Sequence, residues 1–202
     1  MTPALYDSLI NQGFRRNGTL YYRPHCPGCN QCRSVRIPVN HFEPSRSQQR
    51  TLKRNEDISL ELGAARFSEE HFSLYRRYQS SRHAGDSMDD PDPAKYRQFL
   101  INSNIDTFAV ELRIGRRLLA VSIMDHVANG LSAVYTFFEP DESKRGPGTL
   151  MILKQIELAR RIEYDWLYLG YWIKDCRKMA YKNHFHPLQG FCPETGVWAA
   201  VD

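Results

Sequence analysis

LSAVYTFFEPDESKRGPGTLMILKQIELARRIEYDWLYLGYWI, residues 131–173, decides the fold. Its opening, LSAVYTFFEP, has the period of two that marks a strand, and SKRGPGT is a loop containing glycine. Leu150, Leu153, Ile156 and Ala159 then recur at helical spacing, and WLYLGYWI reads as a strand again. A strand, a glycine loop, a helix and another strand form a crossover unit, so the second strand is predicted to lie parallel to the first. Upstream the period is already two: TFAVEL from residue 107 and LLAVSIMDHV from residue 118. Turns containing Gly115 and the pair Asn129 and Gly130 join these runs into an antiparallel meander.

Helices precede the meander. Phe72, Tyr75 and Tyr78 stand at near-helical spacing between Phe67 and His83, and DPAKYRQFL starts a helix with Asp92 as cap and Pro93 at its first position. The polar stretch HAGDSMDDPD, residues 83–92, separates them. At the N-terminus Thr2 and Pro3 read as a cap and first helical residue, and Leu5, Leu9 and Ile10 line one face until Gly13 stops the helix. SVRIPV, residues 34–39, alternates like a strand, with Pro38 placing its end near an edge. In PSRSQQRTLKR, residues 44–54, Arg46, Arg50, Lys53 and Arg54 fall at i, i+4, i+7 and i+8, one stripe if the segment is helical.

The fold class is therefore α+β. The order antiparallel meander, helix, parallel strand resembles the GNAT-like acyltransferase core, and here it stands behind a basic, cysteine-containing N-terminal module. A division is expected near residue 60, giving residues 1–60 and 61–202. In such a core the helix after the glycine loop offers backbone N–H groups to a phosphate or carbonyl oxygen. Gly146, Gly148 and Thr149 occupy that place, with Lys144 and Arg145 beside it.

With 202 residues, 42% apolar and 25% charged, the chain is long enough for a substantial core. No apolar run approaches the ~20 residues of a membrane span, and the start lacks the layout of a secretory signal, so a soluble cytoplasmic protein with no membrane partner is expected. Five cysteines, three of them within seven residues, do not form a secreted disulfide framework, so reduced thiols are expected. The net charge is only +4, but Phe14 to Arg54 holds nine Lys or Arg against one acid, Glu43. Such a local field selects partners that carry phosphate.

GFRRNGTLYYRPHCPGCNQCRSVRI, PSRSQQR, YTFFEP, YLGYWI and MAYKNHFHP stand in an order and spacing that resembles the bacterial aspartate/glutamate leucyltransferases, relatives of the eukaryotic arginyl-tRNA protein transferases. The resemblance covers essentially the whole chain. It implies transfer of leucine from leucyl-tRNA to proteins beginning with Asp or Glu, which marks them for degradation through the N-degron pathway. DNA is not an expected partner. Family members begin further upstream, with a segment that holds another cysteine and a Tyr-Leu-Pro stretch. Three rivals stay open: arginyl transfer, a non-catalytic RNA-binding protein with a metal-bound cysteine cluster, and a coenzyme A acetyltransferase.

Under that resemblance the candidate residues take roles. Asp125 is the first candidate for a weak base toward the acceptor amine, and Tyr135 and Tyr171 are alternatives that could hand a proton to the leaving ribose hydroxyl. The acceptor's own carboxylate demands a cation, and Arg46 and Lys182 lie in matching segments. Arg50, Lys53, Arg54, Lys144 and Arg145 are expected at the phosphates of the tRNA acceptor stem. Tyr168, Tyr171 and Trp172 either stack on the terminal adenine or fill the core. No cofactor is required by the chemistry. Cys26, Cys29 and Cys32 nonetheless have spacings of three that resemble part of a zinc or iron-sulfur loop, with any fourth ligand coming from outside the cluster.

Overall fold

The computed structural model describes residues 1–82, 92–176 and 178–201. Its centre is the meander read from the sequence. β5 (Thr107–Ile114), β6 (Arg117–Val127) and β7 (Gly130–Phe138) pair antiparallel in sequence order. α5 (Pro147–Arg161) then returns the chain to β8 (Trp166–Trp172), which pairs parallel to β7. This is the GNAT-like order of elements that the sequence predicts.

β6 is buried along nearly its whole length, because both faces of the sheet are covered. On one face α5 buries Leu150, Met151, Leu153 and Ile156 against Val110, Leu112, Met124 and Leu167. On the other, α3 (Glu69–Arg82) and α4 (Pro93–Tyr96) pack Phe72, Tyr75, Tyr78 and Tyr96 onto Val121, Ile123 and Phe137. Phe72, Tyr75 and Tyr78 are the residues whose spacing predicts α3, and Asp92 caps α4 through Ala94 N–H at 2.7 Å. The loop expected over 83–92 lies, up to residue 91, outside the described residues.

The N-terminal part enters the same sheet. α1 (Pro3–Asn11) starts at Thr2, whose hydroxyl accepts from Leu5 N–H, and the hairpin β1 (Arg15–Asn17) and β2 (Leu20–Tyr22) follows. β3 (Arg33–Pro38) lies antiparallel to β8 on one side and on the other pairs with β9 (Gln189–Cys192), which carries β10 (Val197–Ala200). β4 (Ile58–Ala64) forms the opposite edge beside β5, so the boundary expected near residue 60 falls within a strand of the common sheet. Pro38 ends β3 as expected: β9 pairs only with Val35 and Arg36, so no ladder partner is lost at the proline.

α2 (Arg46–Arg54) opens with a capping box, Ser45 and Gln48 bonding each other's backbone N–H. It bridges two functional segments. Gln48 near its start donates to the His184 carbonyl at 2.9 Å, and at its end Asn55 donates to the Arg145 carbonyl at 2.9 Å.

Candidate active site

β7 and β8 pair only through Gly130, Leu131 and Ser132 against Trp166, Leu167 and Tyr168, although both strands run on. Beyond Ser132 and Tyr168 they part, and strand carbonyls lose their ladder partners. Two cationic side chains supply replacements. Arg15 donates through Nη1 to Ser132 Oγ at 3.0 Å and through Nη2 to the Ala133 carbonyl. Lys182, in a 3-10 turn over Ala180–His184, donates through Nζ to the Tyr171 carbonyl at 2.5 Å. Gly170 makes room for Arg15: its φ is 78°, and a Cβ there would stand 3.3 Å from Arg15 Nε.

Both cations are buried, and no carboxylate among the described residues pairs with either. Burial pushes the Lys182 ammonium down to about 7, the nearby Arg15 charge pushes the same way, and Cys176 opposes them.

The stripe on α2 forms as expected. Arg46, Arg50, Lys53 and Arg54 are exposed, with Arg54 also donating to the Lys144 carbonyl at 2.5 Å. Arg145 differs from its neighbours: Asp57 at 2.9 Å and Glu142 at 3.2 Å neutralise it, so it holds the turn in place. Gly146 begins α5 in the left-handed region at φ 68°, with no side-chain cap over the first turn. The N–H groups of Gly148 and Thr149 are thereby left for a ligand or solvent. Lys144, exposed, lies on the same turn.

Asp125 does not fit the base role expected of it. It is fully buried, and its oxygens accept from Arg16 Nε and Nη2 at 2.6 Å each, from the Tyr6 hydroxyl at 2.7 Å and from Thr107 at 2.8 Å. A carboxylate so surrounded has no lone pair to offer an amine. The Tyr171 hydroxyl shares its proton between the carbonyls of Gly13 at 3.3 Å and Tyr22 at 3.0 Å. Tyr135 lies among Tyr75, Tyr78 and Phe99 and donates to Gln79 at 3.2 Å. Burial raises the pKa of both tyrosines, so both stay protonated. Tyr168 and Trp172 are core residues.

The fold does not assemble the three clustered cysteines into the metal loop their spacing suggests. Cys26 and Cys29 are exposed on a tight turn closed by Cys29 N–H to the Cys26 carbonyl at 3.1 Å. Cys32 is half-buried, its thiol pushed up by burial and by the other two sulfurs. Among the described residues no group of three or more His, Cys, Asp or Glu could hold a metal ion. No described helix is long and apolar enough to cross a membrane.

Sequence reasoning missed Arg15 and Arg16, which stand out there only as part of the basic run. The available signal was their adjacency in FRRN between two glycines. Consecutive strand residues point to opposite faces, so the two guanidinium groups had to reach different environments.

Residues 1–50 match the family described as arginine-tRNA-protein transferase, N terminus, and residues 70–192 match its C-terminus counterpart. An aspartate/glutamate leucyltransferase of Thiobacillus denitrificans is 48% identical over 197 residues, which is 98% of this chain and 81% of that protein. Its counterpart in Hahella chejuensis is 48% identical over 185 residues, 92% of this chain and 79% of that protein. Among solved structures, L-PGS from Bacillus licheniformis superposes with a TM-score of 0.54 at 11% identity over 70% of this chain and 45% of its own. FemX superposes with a TM-score of 0.52 at 10% identity, over 86% and 61%. These two likenesses concern the fold alone.

Proposed function

The chain belongs to the aspartate/glutamate leucyltransferases of the arginine-tRNA-protein transferase family, and on that premise we propose that it moves leucine from leucyl-tRNA to the α-amine of proteins beginning with Asp or Glu. It is an aminoacyltransferase. The new N-terminal leucine would mark its target for degradation. The relatives favour leucine over arginine as the donor, because three that are 44% to 48% identical are named leucyltransferases.

The structural observation that carries the reading is the parting of β7 and β8, with cations at its base and the uncapped start of α5 at its rim. An aminoacyl ester is already activated, so the enzyme has to position it, admit a free amine and stabilise the oxyanion. An α-amine with a pKa of about 7.7 to 8.0 is roughly one-tenth free near pH 7. That amine adds to the ester carbonyl, the C–N bond forms and the C–O bond to the ribose breaks. The ammonium's first proton goes to water, and the one lost by the nitrogen on addition goes to the ribose oxygen.

In this reading Arg50, Lys53, Arg54 and Lys144 line the path of the acceptor stem. Arg145 keeps the α5 turn beside it, and the N–H groups of Gly148 and Thr149, presented by the bend at Gly146, face a phosphate or the ester oxygen. Lys182 and exposed Arg46, on the helix that Gln48 ties to His184, serve the acceptor side.

The test is direct. The protein is incubated with labelled leucyl-tRNA or arginyl-tRNA and peptides beginning Asp, Glu or Ala. Leucine on the acidic peptides alone is expected; arginine on them, or no transfer, would remove the proposal.

A further inference from the structure

We infer that Arg15 and Lys182 form a two-cation receptor, set where β7 and β8 part, for the side-chain carboxylate of the acceptor's first residue. The inference rests on the acceptor class proposed above and adds to it the residue, Arg15, that reads that class.

Buried charges in folded proteins are paired, because taking an ion out of water costs more than neutral hydrogen bonds return. The adjacent Arg16 obeys this rule with Asp125, both side chains fully out of solvent. Among the described residues Arg15, 6% exposed, and Lys182, 9% exposed, do not: their partners there are a hydroxyl and two carbonyls, all neutral. Two like charges held together without an anion are a site prepared for one. Lys182 spends one of its three donors on Tyr171, and the arginine fork can meet a carboxylate at two oxygens.

The anion is a carboxylate and not a tRNA phosphate, because burial selects a compact group at the end of a side chain. The polyanionic strand has the exposed α2 stripe. The depressed Lys182 agrees with this assignment. The groups acting on it are Arg15 from β1, which disfavours its charge, and Cys176 from the loop after β8, which favours it. An arriving carboxylate would offset Arg15 and return the ammonium to full charge. Acidic first residues would then be bound by a cation that their own charge restores.

The experiment compares kcat/KM for peptides that begin Asp and Asn, with leucyl-tRNA as donor. Arg15→Gln and Lys182→Met should each lower the Asp-to-Asn ratio by about tenfold or more, the worth of one charge-assisted hydrogen bond. KM for leucyl-tRNA should stay unchanged, and Arg15→Lys should fall between parent and Arg15→Gln. A purely structural role would lower both peptides equally, and an unchanged ratio overturns the inference. Should the variants fail to fold, reductive methylation of Lys182 in the unmutated protein, read by mass spectrometry, gives the answer. Asp-Ala dipeptide should slow it and Asn-Ala should not; equal protection sinks the idea. If the unmutated protein transfers leucine to nothing, the functional reading fails, while the methylation experiment still decides whether this pair takes a carboxylate.

Discussion

Arg16 grips both oxygens of Asp125 at 2.6 Å, 109 positions away in the chain, and neither side chain reaches solvent. Together with the hydroxyls of Tyr6 and Thr107 this pair ties α1 and the first hairpin to the centre of the meander. Asp125→Asn would leave a buried guanidinium without its counter-charge, at about 3 to 5 kcal/mol. For a chain of this size that is a fall in Tm of roughly 6 to 20 °C, read by circular dichroism. A variant that melts like the parent and yet transfers no leucine would return Asp125 to a catalytic role.

Lys182 sets a dependence of stability on pH. Unfolded, its ammonium holds its proton to about pH 10.4, whereas in the fold it releases it near 7. Between those values the unfolded chain binds the extra proton, so this residue's contribution to stability rises with pH from about 7 upward. Lys182→Met should therefore be most stabilised relative to the parent at pH 6, and the gap should narrow toward pH 9. Urea midpoints at the two pH values measure it; a gap that widens contradicts the burial of this ammonium.

Exposed Arg50 and Lys53 should act through counterion release. Replacing both by Ala should reduce the slope of log affinity for tRNA against log salt by about 1.5, near 0.7 to 0.9 for each phosphate no longer neutralised. Arg145→Ala, by contrast, should leave the slope in place and lower Tm, because its guanidinium is committed to Asp57 and Glu142. Filter binding across a salt series separates the two outcomes.

Gly170 combines a left-handed φ of 78° with an Arg15 guanidinium that stands where a Cβ would come within 3.3 Å of its Nε. Gly170→Ala adds backbone strain of about 1 to 2 kcal/mol and presses a methyl on the guanidinium. We expect a modest loss of Tm, and a fall in the Asp-to-Asn preference larger than that loss alone would give. Peptide kinetics at a temperature well below the melt checks this.

The sequence determined several of the elements whose cause is local, though not the short hairpins of β1 with β2 and β9 with β10. Thr2 and Asp92 announce helix starts because a cap bonds an N–H two or three residues on, and β5 to β7 announce themselves through a period of two and short glycine turns. α5 and parallel β8 follow from periodicity and from the steric rule that a crossover obeys. The α2 stripe is likewise a matter of spacing alone.

Only the tertiary structure decided what distant partners do to a side chain. Nothing near Asp125 in sequence says that Arg16 will close over it, and nothing in FRRN says which arginine finds an acid and which is left with carbonyls. The burial of Lys182 and the neutralisation of Arg145 arise in the same way, from groups brought together across the sheet and the α5 turn. The physical reason is that charge and hydrogen-bond capacity are settled by proximity in space, whereas caps and periodicities are settled by proximity along the chain.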